Sequence, residues 1–520
     1  MHDQQPHTRT ECTLRSILTV LALGLTPLLA RGQTPRLLGG LGSHHHQITT
    51  KSAQAQRFFD QGLSLAYAFN HPEAKRSFEE AARLDVSCAM CHWGIAYVLG
   101  PNINASMDPA ANAEAYAASR RALARTPNVS PRERAYIEAL AKRYVEHTPE
   151  HRAPLDSAFA RAMRDVAARF PADDDAVTIS AEALMNLSPW TYWTRDQRPL
   201  PGTTEIIAAL EKVAARNRRH PGACHLYIHA VEAAFPERAV ACAERLAALM
   251  PSAGHIVHMP AHIYLRVGRY ADAIRANEHA VHADETYIAD QRAESFYTIA
   301  YYPHNYHFLA FAATMAGLGS RAIAAARAAS SKIPVDLAAV APDLQLLVAY
   351  PHVTLATFEH FDEVLREPLP RGDLRVATGL AWFARGVAFA AKGRFVDARA
   401  GLDTVRAISA SLTTAPGDPV MRIAERVLAA QIAIRSGRPA DAIAPLTEAK
   451  DIEDGLMYME PPFWHQPVRH VLGAALLELG RAAEAERLYR EDLARFPKNV
   501  WADRGLKRSV RRTRNEERGS

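Results

Sequence analysis

A recurring step between small and aromatic residues constrains the fold of this chain more than any other feature. In FFDQGLSLAYAFNHPEAKRSFEEAARLD, Gly62 is followed by Ala74, Phe78 and Ala81. In VRHVLGAALLELGRAAEAERLYREDLARFPKN, Gly473 is followed by Ala485, Tyr489 and Pro497. HIYLRVGRYADAIRANEHAVHAD carries Tyr264, Ala273 and Ala280, and weaker copies begin at AWFARGVAFAAKGRF and AAQIAIRSGRPADAI. A small residue at such a step lets two helices of a hairpin cross closely. Each hairpin then buries its apolar face only by stacking on its neighbours. No segment alternates as a strand does.

These spacings resemble the 34-residue tetratricopeptide (TPR) pattern, with a small residue at position 8, Ala at 20, an aromatic at 24 and Pro at 32. The resemblance implies an all-α protein, a right-handed α-solenoid of TPR-like helical hairpins over residues 53–505, with a concave face. NLSPWTYWTRDQRPLPGTTE (186–205) and MYMEPPFWHQP (457–467) depart from the pattern. Pro-rich and aromatic, they read as loops lining a groove, with Trp190, Trp193, Tyr458 and Trp464 as ligand-binding candidates. The whole chain also resembles a group of exported bacterial TPR proteins with stretches like CAMCHWGIAYVLGPNIN, HPGACHLYIHAVEAAFPERA and GHIVHMPAHIYLRVGRY. That resemblance implies architecture and no activity.

The N-terminus reads as an export signal. Arg9 and Arg15 precede the run SILTVLALGLTPLLA, and Ala30-Arg31-Gly32 offers small residues for cleavage. Residues 1–32 are expected to be a signal peptide, giving a periplasmic or secreted product with no later membrane span. Residues 33–52 are expected to be a flexible leader, and its His44–His46 run is read as part of that segment, with adventitious metal binding the disfavoured alternative. The net charge is +5, and the tail from Lys507 holds six basic and two acidic residues, so the body is nearly neutral. That excludes a basic footprint for nucleic acid. Residues 506–520 are expected to be a basic, disordered tail.

Export permits disulfides without requiring them. Cys224 and Cys242 fall on successive helices that turn near Pro236. At about 1.5 Å per residue they miss each other by roughly 9 Å, so both are expected to be buried free thiols. CAMCHWG matches the C-x-x-C-H attachment signature of haem c through Cys88, Cys91 and His92. A 34-residue offset from the first repeat makes Ser87 the N-cap and puts His92 at position 4 and Ala96 at position 8. Both are packing slots, so haem c is the disfavoured reading. A redox pair or a local disulfide stays open.

The same register places histidines at positions that point into a TPR groove. His255, His258, His262 and Arg266 take positions 2, 5, 9 and 13 of one repeat. His304 and His307 take 2 and 5 of the next. With a turn shorter by one residue, His225, His229 and Glu232 take 5, 9 and 12 of the preceding one. The pairs HLYIH, HMPAH and HNYH each set two imidazoles on one helical face. Neutral imidazole is the commonest metal ligand, and this set suits zinc, copper or iron. His225, His229, His258 and His262 are the first-choice ligands of one ion, and His304 and His307 are alternates. Glu232 is a ligand or general base, and His255 and Arg266 contact a bound ligand. The chain shows no Walker-type loop, no G-x-S-x-G elbow and no H-E-x-x-H motif. The expected function is an exported solenoid binding a protein, peptide or small molecule in its groove. The alternative is a metal-binding protein or metalloenzyme built on the histidines.

Overall fold

A computed structural model describes residues 35–413 and 417–519, with side chains to residue 514. The expected signal peptide lies outside the described residues. Among those residues the protein is an all-α solenoid of TPR-like hairpins, with isolated bridges but no longer strand. No described helix is long and apolar enough to cross a membrane.

The repeat signature works through glycine. A Cβ on Gly62 would stand 2.7 Å from the Phe78 ring, and one on Gly94 would stand 2.4 Å from it. Phe78, in the helix His71–Leu84, is thus clamped between the helices before and after it. The last repeats do the same: Cβ atoms on Gly473 and Gly505 would stand 2.5 and 2.2 Å from the Tyr489 ring. Both glycine pairs are 32 residues apart. The second repeat is therefore two residues out of the expected register, and Gly94 rather than Ala96 holds the crossing position. Cys88, not Ser87, is the N-cap of the helix Ala89–Leu99.

The solenoid folds back on itself. Trp501 Nε1 donates to the Thr314 carbonyl at 2.7 Å, and Gly268 approaches the backbone of Pro497. Arg195 donates to the Gly455 carbonyl at 3.0 Å, tying the first Pro-rich loop to the end of the helix Ile443–Gly455 that leads into the second. The groove expected to hold the histidines is closed over them, and His225, His229, His255, His258 and His262 are 0–3% exposed.

Three further expectations are corrected. Residues 35–52 form a packed strap and not a flexible leader: Gly40 and Gly42, at φ 73° and 80°, pass against Ser252 and the Leu249 carbonyl. These glycines permit close approach, and His46 is buried. The tail is no loose end, because the helix Val500–Gly519 runs through it, Ser509 is buried and Arg512 donates to the Leu477 carbonyl. Cys224 and Cys242 are joined in a disulfide with Cα atoms 5.2 Å apart. The helix Pro221–Val231 ends earlier than Pro236, and Pro236–Ala239 is a 3₁₀ turn. At about 2.0 Å per residue that turn climbs faster than α-helix, which brings the two cysteines level.

Candidate metal centre

Four helical segments bring the histidines together. Pro221–Val231 carries His225 and His229, Gly254–His258 carries His255 and His258, Pro260–Arg266 carries His262, and Phe296–Met315 carries His304. Pro260 splits what would be one helix at Met259, yet His258 and His262 still face each other, Nε2 to Nε2, at 3.0 Å. His225 and His255 do the same at 3.2 Å. One ligating atom from each of His225, His229 and His255 lies within 4.8 Å of the others, and the same holds for His258, His262 and His304. Five of the six are 0–3% exposed, and only His304 is half-buried.

The Nδ1 atoms show where the protons are. His225 Nδ1 donates to the Tyr67 carbonyl at 2.6 Å. Asn277 gives its amide N–H to the Ala273 carbonyl, so its oxygen accepts from His258 Nδ1 at 2.7 Å. Glu232 accepts from His229 Nδ1 at 2.8 Å and from His262 Nδ1 at 2.6 Å, one on each oxygen. With Nδ1 protonated, the Nε2 of a neutral imidazole is a bare lone pair. Anchoring Nδ1 on a carbonyl or carboxylate is how proteins orient metal-ligating histidines.

Burial, and then the charge on neighbouring imidazoles, hold His225, His255, His258 and His304 well below the usual histidine range. Burial also lowers His229. Burial opposes charging His262 too, but there the Glu232 charge and hydrogen bond prevail and its pKa is raised. Burial likewise opposes ionising Glu232, and His262 and His229 outweigh it. Burial and Glu232 together push Glu460 up.

The other candidates divide. Tyr458 reaches the centre, donating to Glu460 at 2.6 Å and lying 3.4 Å from Glu232. Arg266 bridges the rim: it donates to the carbonyls of Glu232 and Ala233 and lies 3.6 Å from Glu460. Trp190 sets its ring edge-on to His229 at 5.0 Å. Its φ of 62° is costly for a bulky residue. Trp193 is a brace, donating to the Ala230 carbonyl and packing on Phe235. Trp464 is buried elsewhere against Phe383 and His465. His307 faces Tyr350 at 4.5 Å and does not join the cluster. Three residues on from His304 is about 60° around the helix, enough to aim it at the next hairpin. Glu232 braces two histidines and is no free base.

Asn277, the Tyr67 carbonyl, Phe69 and Glu460 also belong to the centre. Glu460 was within reach of sequence reasoning, being two residues from Tyr458 in a loop already singled out. Asn277 and Tyr67 carry no signal of their own.

At the other cysteine pair, Cys88 and Cys91 form a disulfide with Cα atoms 5.4 Å apart. Burial, with Arg125 and Arg121 nearby, lowers the His92 pKa to about 4.

A second histidine cluster holds the strap. Asp175 accepts from Tyr67 Oη at 2.6 Å, His46 Nδ1 at 2.7 Å, His44 Nε2 at 2.9 Å and His220 Nε2 at 3.2 Å. His220 Nδ1 accepts the Ala223 N–H as a helix cap, so its Nε2 must carry the proton and has no lone pair for an ion. This carboxylate is fed by donors and acts as a bracket.

The fold and the centre together define a TPR-like solenoid with a buried histidine core. No family model matches the sequence, and no curated protein matches it. Among solved structures the chain is similar to the Cut9–Hcn1 APC/C hetero-tetramer (12% identity over 88% of this chain and 76% of that one, TM-score 0.32). It is also similar to yeast Tom70 (11%, 90% of each chain, TM-score 0.30) and to a human IFIT1 dimer with m7Gppp-AAAA (12%, 82% and 90%, TM-score 0.33). At these identities the likeness concerns the fold alone.

Proposed function

We propose that this protein is an exported metalloprotein in which a TPR-like solenoid encloses a transition-metal centre of neutral imidazoles. One observation carries the reading: no placement of protons satisfies the six histidines. A proton shared between His258 and His262 satisfies that pair, and an Nε2–H tautomer of His255 satisfies His225. His229 Nε2 and His255 Nδ1 are still left buried with no partner. An unpaired buried polar atom costs on the order of 1–3 kcal/mol, and an ion among the Nε2 atoms gives His229 Nε2 a partner and takes up the facing lone pairs of the two close Nε2 pairs. The spacing agrees: two nitrogens each about 2.0–2.1 Å from one ion stand about 2.8–3.6 Å apart over ordinary bond angles.

Closure of the groove weighs against the expected peptide-binding role at this face, since a peptide cannot reach histidines so deeply buried. The two disulfides favour an oxidising compartment. The test is elemental analysis of the full chain purified from its native compartment, beside a His229→Ala, His262→Ala double variant. Metal in the wild type, lost in a variant that keeps its helical signal, supports the reading. A wild type with no metal above background, and no thermal stabilisation by zinc, copper or iron, would falsify it.

A further inference from the structure

We infer that the centre holds two copper ions in adjacent three-histidine sites, one made by His225, His229 and His255 and the other by His258, His262 and His304. The inference rests on the metal-centre reading and goes beyond it in number and kind of ion.

The number follows from how the ligands group. The four residues first expected to share one ion are split two and two between the three-histidine sets. Each set contains one close Nε2 pair, 3.2 Å in the first and 3.0 Å in the second. Each also has a third imidazole: His229, whose buried Nε2 has no partner, and His304, the half-buried one. The sets abut, with ring centroids 5.2 Å apart for His229–His262 and 5.8 Å for His255–His258. Glu232 ties them by holding one histidine of each.

The kind of ion follows from charge. An imidazole that ligates through Nε2 is neutral, so the six ligands bring no negative charge to the ions. The braced carboxylate of Glu232 is the nearest fixed negative charge, and Arg266 offsets Glu460. Two dications would leave several positive charges buried with little compensation, which is costly. Two cuprous ions halve that charge. Imidazole suits copper, and three nitrogen ligands without an anion satisfy its monovalent state.

The test is an anaerobic titration of chelator-stripped, full-length protein with Cu(I), in competition with a chromophoric cuprous chelator. The expected result is two ions per chain in the wild type and one in a His258→Gln, His304→Gln variant, which keeps the first set. One ion in the wild type overturns the two-site inference and leaves the metal-centre reading standing. Binding of neither Cu(I) nor Zn(II) in parallel titrations overturns both. Two ions retained in the variant overturn the ligand assignment, and two Zn(II) bound with no Cu(I) overturn the choice of copper. Should the variant lose its helical signal, the oxidised wild type decides by electron paramagnetic resonance. A dipolar-coupled spectrum is expected, and two isolated cupric signals overturn the adjacency.

Discussion

Glu232 Oε2 lies 2.6 Å from His262 Nδ1, and the other oxygen of the same carboxylate takes the Nδ1 proton of His229 at 2.8 Å. One buried side chain thus sets the tautomer and tilt of an imidazole in each half of the centre. A glutamine keeps the shape but offers one acceptor atom in place of two. Glu232→Gln is therefore expected to weaken metal binding about 10–100-fold. Competition with a chelator measures this, and circular dichroism checks that the helices persist.

The 457–467 loop gives a pH prediction. Glu453 caps the next helix by accepting the Val468 N–H at 3.0 Å. Burial pushes its pKa up to about 7 from an ordinary 4.5, against the pull of Arg495 and Arg469 and with Asp492 adding to the rise. The folded state then binds more protons than the unfolded state between these values. Its contribution is fully present below pH 4.5 and is lost as pH rises through about 7. The rise corresponds to at most on the order of 3 kcal/mol. Glu453→Gln removes the dependence, so denaturant midpoints of variant and wild type should diverge between pH 5 and 8, with the variant gaining at the higher pH.

The clamp at each end of the solenoid predicts a matched pair of effects. Gly473→Leu drives a side chain into the Tyr489 ring, and Gly94→Leu drives one into Phe78. Each is expected to destabilise by about 1–3 kcal/mol through overpacking. Urea melts at neutral pH read the loss, and a neutral result at Gly94 would put the 32-residue register in error.

For the cysteines, peptide mapping without reduction is expected to recover Cys88 linked to Cys91 and Cys224 linked to Cys242. Co-production with a haem-attachment system should leave no haem band after denaturing electrophoresis. A band lost in Cys91→Ala contradicts the assignment.

The hairpin fold was legible because its signal is local: a glycine and an aromatic ring at fixed steps meet whatever the rest of the chain does. The histidine pairs were legible for the same reason, since i,i+4 spacing fixes a shared helical face. Legibility failed where a single turn sets the geometry. The 3₁₀ climb at Pro236–Ala239 decides whether Cys224 meets Cys242, and the 60° between His304 and His307 decides which joins the centre. It failed again where partners come from afar. Tyr67 lends its carbonyl to His225 across 158 residues, and nothing near either residue announces it. The glycines of the strap have the composition of a flexible segment, and only their neighbours Ser252 and Leu249 show that they serve contact.

The central claim is that ions sit among the Nε2 atoms, and anomalous diffraction from crystals of metal-loaded protein at the absorption edge of the bound metal tests it most directly. The account predicts a peak about 2.0–2.2 Å from the Nε2 atoms of His258 and His262, and a second beside His225, His229 and His255. A loaded crystal with no anomalous density at either place, or with density only at the strap histidines His44 and His46, would contradict it.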